Sequence, residues 1–278
     1  MTTTRDSRGA PGGRLAGGTA QGVTPRAVSA VPGLPAQHGL LRSAVLHLLP
    51  GLLCLGFYLA TAPLFLRWGY PPLMSSIATI PLIVVPWMLG WLTLEARRTT
   101  GRWAPMDAVS YREPVPFRRL VAWSVALVAW GAVAFGMADA LGAGEAIRGA
   151  FAGLPEWFLH PAGFDAIVAM QAPQLAVFLA SMVLFVGVVA PVVEELYFRG
   201  YLMPALGRFG AWAPVFGVAL FTLYHLESPW DGPVRFLVVL PMAFGVWRLR
   251  SVRLGIVVHV ALNTLSALAL IVAVLAAR

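Results

Sequence analysis

The polar side chains that lie inside apolar runs carry the chemistry this sequence can perform. Glu194 and Glu195 sit side by side in the stretch Val188 to Met203, VVAPVVEELYFRGYLM, with Arg199 four residues after the second. An ionisable group inside such a segment is costly and is a functional-site hypothesis whose partner must be named. On a helix Glu195 and Arg199 are i and i+4, so they meet on one face and pair. Glu194 is turned about 100° away and needs a partner elsewhere. Later in the chain, His225 and His259 lie deep in apolar runs, and Asn263 follows His259 by one helical turn. A carboxylate and an imidazole can activate water by accepting its proton. A second imidazole and an amide can donate hydrogen bonds to an oxyanion. Together these are the minimum equipment for hydrolysis of an amide. The plainer reading of Glu195 and Arg199 is an ion pair that staples a helix bundle.

Other chemistries have less support. Cys54 has no evident partner, and no serine stands in a Gly-x-Ser-x-Gly setting. His-Glu-x-x-His is absent. Glu194, His225 and His259 could still bind Zn²⁺ with water as the fourth ligand. The metal-free version is favoured, because Asn263 is a poor zinc ligand and a good donor.

The elements that must position these groups are membrane helices. The 278-residue chain is 59% hydrophobic and 12% charged, with mean hydropathy +0.77, where soluble domains carry about 25% charged residues. This predicts an all-α, polytopic transmembrane bundle of about seven to eight helices. The sole cysteine rules out an intramolecular disulfide. Every basic residue is arginine, and Gly, Pro and Ala abound, as in a GC-rich bacterial genome. The net charge of +8 is distributed as the positive-inside rule expects, so no nucleic-acid partner is expected.

Residues 1–40 read as a disordered basic cytoplasmic tail. Residues 41–173 hold the N-terminal membrane helices and loops, and 174–278 the helical core with the chemistry. Apolar runs predict spans near 44–66, 73–94, 120–141, 174–206, 211–226, 233–248 and 254–277. The stretch AFAGLPEWFL in the 142–173 connection predicts a short surface helix. His47 and His160 read as packing residues. The loops at 95–119 and 248–253 and the flank of Arg208 are rich in arginine. The alternate connections carry Glu145, Glu156, Asp165, Glu227 and Asp231. The N-terminus is therefore expected in the cytoplasm of a bacterial inner membrane, with the site opening on the arginine-rich side. The fourth span climbs about 18 Å from Glu194 to Leu206, and the fifth descends about 21 Å from Ala211 to His225. His259 lies about 9 Å beyond Arg253. These spacings allow Glu194, His225, His259 and Asn263 to share one depth.

The set Glu194-Glu195-x-x-x-Arg199, Phe221-x-x-x-His225 and His259-x-x-x-Asn263 resembles the three motifs of the CAAX protease and bacteriocin-processing family. These are intramembrane endopeptidases that include the type II CAAX prenyl proteases. Each motif alone is weak; all three, in order and on apolar helices, are specific, and they cover about residues 174–275. The resemblance implies that Glu194 acts as general base with His225, that His259 and Asn263 form the oxyanion site, and that Glu195, Arg199 and Phe221 support it. It implies a membrane-associated peptide substrate and leaves open whether that substrate is prenylated. Two readings compete: a proton-coupled transporter using Glu194, His225 and His259 as a relay, and a non-catalytic scaffold or immunity protein. The absence of an internal repeat argues against the first, and the presence of every expected site position argues against the second.

Overall fold

The structure is a computed structural model and describes residues 35–278. The proposed tail therefore lies outside the described residues up to position 34. Apolar runs of this length have only one economical backbone solution in a membrane, since a helix satisfies all of its own N–H and C=O groups. The described chain is helical accordingly. Seven helices organise it: α1 (Leu40–Arg67), α2 (Leu73–Thr100), α3 (Phe117–Ala140), α4 (Ala172–Leu202), α5 (Trp212–Tyr224), α6 (Gly232–Leu249) and α7 (Val252–Ala276). All but α5 are long and apolar enough to cross a membrane. With 13 residues, α5 reaches only about 20 Å. It stops at Tyr224, so His225 is the first residue beyond the helix rather than part of it. The expected helix in AFAGLPEWFL is broken as well. A single 3₁₀ turn at Gly149–Phe151 and a four-residue helix at Glu156–Leu159 are separated by Pro155, whose fixed φ starts the second piece but cannot continue the first.

Helix α1 packs on α2 and α5, α4 packs on α7, and α6 lies among α3, α5 and α7. The core is built around Tyr197, Phe198 and Leu202 of α4 with Met88 and Leu92 of α2, Phe221 of α5 and Leu254 of α7. Large apolar side chains such as Leu41, Phe117 and Val125 point outward, as expected where lipid rather than water is the neighbour.

The two ends of the bundle differ. At the arginine-rich end the loops interlock. The Ser110 N–H donates to the Gly200 carbonyl at 2.8 Å and the Val252 N–H to that of Tyr111 at 2.8 Å. The Glu113 N–H donates to the Arg250 carbonyl at 2.9 Å. Residues 35–39, part of the segment expected to be tail, join this layer. The His38 N–H donates to the Ala205 carbonyl at 2.9 Å, and the Arg208 N–H to Gln37 Oε1 at 2.8 Å. His38 is buried against Tyr201. At the opposite end, the 142–173 connection folds over the bundle. The Leu73 N–H donates to the Pro161 carbonyl at 2.9 Å, and Trp230 packs on Phe151 and Phe158.

Candidate active site

Helix α4 changes its winding around the two glutamates. Met182–Val189 and Glu195–Leu202 are π-helical, and Ala190–Glu194 between them is α-helical. Such wide turns occur mostly as short insertions in α-helices and often at functional sites. Donors from α7 reach two carbonyls of the first of these stretches. Asn263 Nδ2 donates to the Val186 carbonyl at 3.0 Å and Thr264 Oγ1 to that of Gly187 at 3.2 Å.

The change of winding falls between Glu194 and Glu195, and the two carboxylates part company there. Glu195 is fully buried. Its Oε1 lies 3.1 Å from Arg199 Nη1 and 3.1 Å from His259 Nδ1. Carboxylate oxygens accept, so His259 Nδ1 carries the proton and Nε2 faces away. Gly255 sits one turn before His259 on the same stripe of α7. A Cβ at that position would fall 2.3 Å from Glu195 Oε2, so only glycine lets the carboxylate lie against the α7 backbone. Arg199 places its guanidinium 3.9 Å from the centroid of the Phe221 ring, a favourable cation–π arrangement. Phe221 also meets the rings of His225 at 4.8 Å and His259 at 6.2 Å. Glu195, Arg199 and Phe221 thus form one packed unit that ends on both histidines.

Glu194 points the other way, into a cavity of about 620 Å³. Its residue is buried, and among the described residues it forms no salt bridge, since Arg199 pairs with Glu195. His225, His259 and Asn263 line the same cavity. His225 Nδ1 lies 3.0 Å from the Phe221 carbonyl, which can only accept; the proton is on Nδ1 and Nε2 keeps a lone pair. The backbone that presents His225 is held close to α1. A Cβ at Gly51 would fall 2.1 Å from the Tyr224 carbonyl oxygen.

The cavity contains residues that sequence reasoning did not assign to a site. Tyr58, Tyr224, Glu227, Asp231 and His160 all line it. Burial pushes the Glu227 carboxyl above its usual range, with Arg235 opposing. In sequence these belong to a surface turn, a loop and two helix positions whose spacing carries no signal of a shared space. Gly255 could have been noticed from its i, i+4, i+8 register with His259 and Asn263. From Glu194 the cavity extends to Leu159, Phe164, Glu227 and Asp231, away from the interlocked arginine-rich loops. Helix spacing predicts the depth of a residue but not the side on which space is left.

Among the described residues, no three His, Cys, Asp or Glu side chains converge as a metal site. The Nδ1 atoms of both histidines are engaged, with Glu195 and with a carbonyl, which leaves Nε2 as the ring nitrogen each could offer to a ligand.

The family of type II CAAX prenyl endopeptidases described as Rce1-like matches residues 176–265. No curated protein and no solved structure matches the chain. The matched segment begins near the start of α4 and ends just beyond Asn263, so it contains both glutamates, both histidines and the asparagine. Residues 176–265 of this membrane-helix chain are therefore similar to the Rce1-like type II CAAX prenyl endopeptidases.

Proposed function

We propose that the chain is an intramembrane endopeptidase that hydrolyses a peptide bond of a membrane-associated substrate with a water activated by Glu194 and His225. The observation that carries this reading is the convergence of Glu194, His225, His259 and Asn263 on one cavity with apolar walls. A cavity of this size lies within the range, roughly 300–1,000 Å³, of those that bury a drug-sized ligand.

Each group has a role consistent with its bonds. The Glu194 carboxylate is unclaimed by Arg199 and accepts a proton from water. His225, with Nδ1 fixed by the Phe221 carbonyl, offers Nε2 to the same water or to the leaving amine. Asn263 uses one N–H on Val186 and retains the other for the developing oxyanion. His259 can donate from Nε2 only as the imidazolium, because its other proton is held on Glu195. Glu195 fixes the ring through Nδ1 and is itself paired with Arg199. General acid–base catalysis contributes about 10²–10⁴-fold and an oxyanion donor about 10²–10³-fold, so the four groups are sufficient in kind for peptide hydrolysis.

The chain should act without a metal. Cleavage by the purified protein persists after exhaustive chelation on this reading; zinc at one per chain, with activity lost on its removal and regained on its return, would replace it by a metalloprotease.

A further inference from the structure

Two arginine-rich loops at the interlocked end form one surface. Arg112 makes an antiparallel bridge with Ser251. On either side of it, the Glu113 N–H donates to the Arg250 carbonyl at 2.9 Å and the Val252 N–H to the Tyr111 carbonyl at 2.8 Å. These bonds hold Arg112 beside Arg250 and Arg253. Arg118 and Arg119 stand in the first turn of α3 and Arg248 in the last turn of α6, and α3 packs on both α6 and α7. All six arginines are exposed. The arginine–carboxylate pairs among the described residues use Arg98, Arg102, Arg148 and Arg199, none of these six. Glu113 is the one carboxylate within 109–119 and 248–253. Arginine gathers in such loops by the positive-inside rule alone. That rule does not require two loops to be bonded into one platform, nor does it set a side chain against its backbone preference. Arg250, which caps the end of α6, has φ +47° and ψ +40°, and it is the one non-glycine residue with positive φ among the described residues. Glycine is the usual residue at such a helix end, and a side chain kept on strained backbone points to a use for it.

Next to the arginines the helix surfaces turn apolar. Phe117, Val121 and Val125 are exposed on α3, and their i, i+4, i+8 spacing makes them one stripe. Val257 is exposed one turn beyond Arg253 on α7. We propose that this platform binds the headgroup of an anionic phospholipid. Its phosphodiester oxygens accept from Arg112, Arg250 and Arg253, since guanidinium groups form paired hydrogen bonds with phosphate. Its acyl chains lie along the α3 stripe and beside Val257. Charge and apolar surface thus follow one another in the order in which a phospholipid carries them, and basic clusters at the ends of membrane helices are where anionic headgroups gather. A soluble anion would use the arginines and leave the stripe untouched. The proposal is independent of the peptidase reading, because the platform shares no residue with the cavity.

Native mass spectrometry of the full chain in a neutral detergent tests this, with phosphatidylglycerol or phosphatidylcholine of the same acyl chains titrated in. The wild type should retain phosphatidylglycerol in preference to phosphatidylcholine. Arg112→Gln, Arg250→Gln and Arg253→Gln together should weaken phosphatidylglycerol binding by about fivefold for each arginine removed and abolish the preference. Arg98→Gln with Arg102→Gln, at the same end but paired with Glu95 and Asp107, should leave the preference intact. If this second variant loses it equally, binding follows net charge and the site is overturned. Equal retention of the two lipids by the wild type overturns it as well. So does displacement of the bound lipid by glycerol phosphate at the lipid's own concentration, which would make the platform a plain anion site. Arg250→Gly separates the side chain from the fold. It relieves the left-handed backbone, so this variant should melt no earlier than the wild type and yet bind phosphatidylglycerol more weakly; undiminished binding by it overturns the site.

Discussion

Two adjacent carboxylates on α4 occupy opposite kinds of space. Glu195 faces protein on every side, with Arg199, His259 and the Gly255 backbone against it. Glu194 faces the cavity. The difference comes from one residue of helical rotation at a point where the winding changes from α to π. It shows how a membrane bundle can keep one charge as structure and leave its neighbour available for chemistry. A buried ion pair adds little net stability over apolar packing, but breaking it from one side strands a charge. A carboxylate that opens on a cavity has no such dependent partner.

The comparison can be broken most severely at Glu194. The change Glu194→Gln keeps the shape and removes the base, so cleavage should fall by about 10²–10⁴-fold or more with the melting temperature unchanged; activity within a few-fold of wild type would remove Glu194 from the chemistry. Next comes the pair. Glu195→Gln leaves Arg199 buried without its partner and should cost about 3–5 kcal/mol, read as a lower melting temperature in detergent. Glu195→Gln combined with Arg199→Met should recover part of that loss, because no charge is then stranded. A smaller effect is expected at Gly255. A methyl group 2.3 Å from Glu195 Oε2 must displace the carboxylate, and overpacking costs about 1–3 kcal/mol. Gly255→Ala should therefore lower the melting temperature and also slow cleavage, since His259 hangs on the same carboxylate. An unchanged melting temperature would show that Glu195 has room to move.

The smallest predicted effect concerns the arginine-rich end. Burial, and then Arg42, push His38 down from 6.5 to about 4. The packed state thus binds its proton less well than the released segment does. The contribution of neutral His38 is complete above about pH 6.5 and is lost as pH falls from there toward 4. Limited proteolysis near residues 35–39 should speed up over that interval in the wild type and show no such rise in His38→Phe.

Much of the site was legible because its spacing is helical. Glu195 and Arg199, His259 and Asn263, and Phe221 and His225 are i, i+4 pairs, and each pair is a statement about one helix face. The run lengths predicted the spans closely, α7 and α4 among them, because a membrane sets a minimum number of apolar residues. The contact between Glu195 and His259 was not legible, as it crosses 64 residues and depends on which faces of α4 and α7 meet. The π-helical turns have no spacing signature in sequence. Nor did the short α5 announce where it ends. Tyr224 and His225 continue an apolar pattern, and the helix stops there for tertiary reasons, with the Tyr224 carbonyl lodged against Gly51.

The most direct test of the division between the two carboxylates measures Glu194→Gln and Glu195→Gln side by side in one detergent, each for melting temperature and for cleavage of a membrane peptide that the wild type cuts. The account predicts that Glu194→Gln melts with the wild type and does not cleave, while Glu195→Gln melts earlier and cleaves poorly. An early-melting Glu194→Gln beside a stable, inactive Glu195→Gln would contradict it and reverse the roles of the two residues.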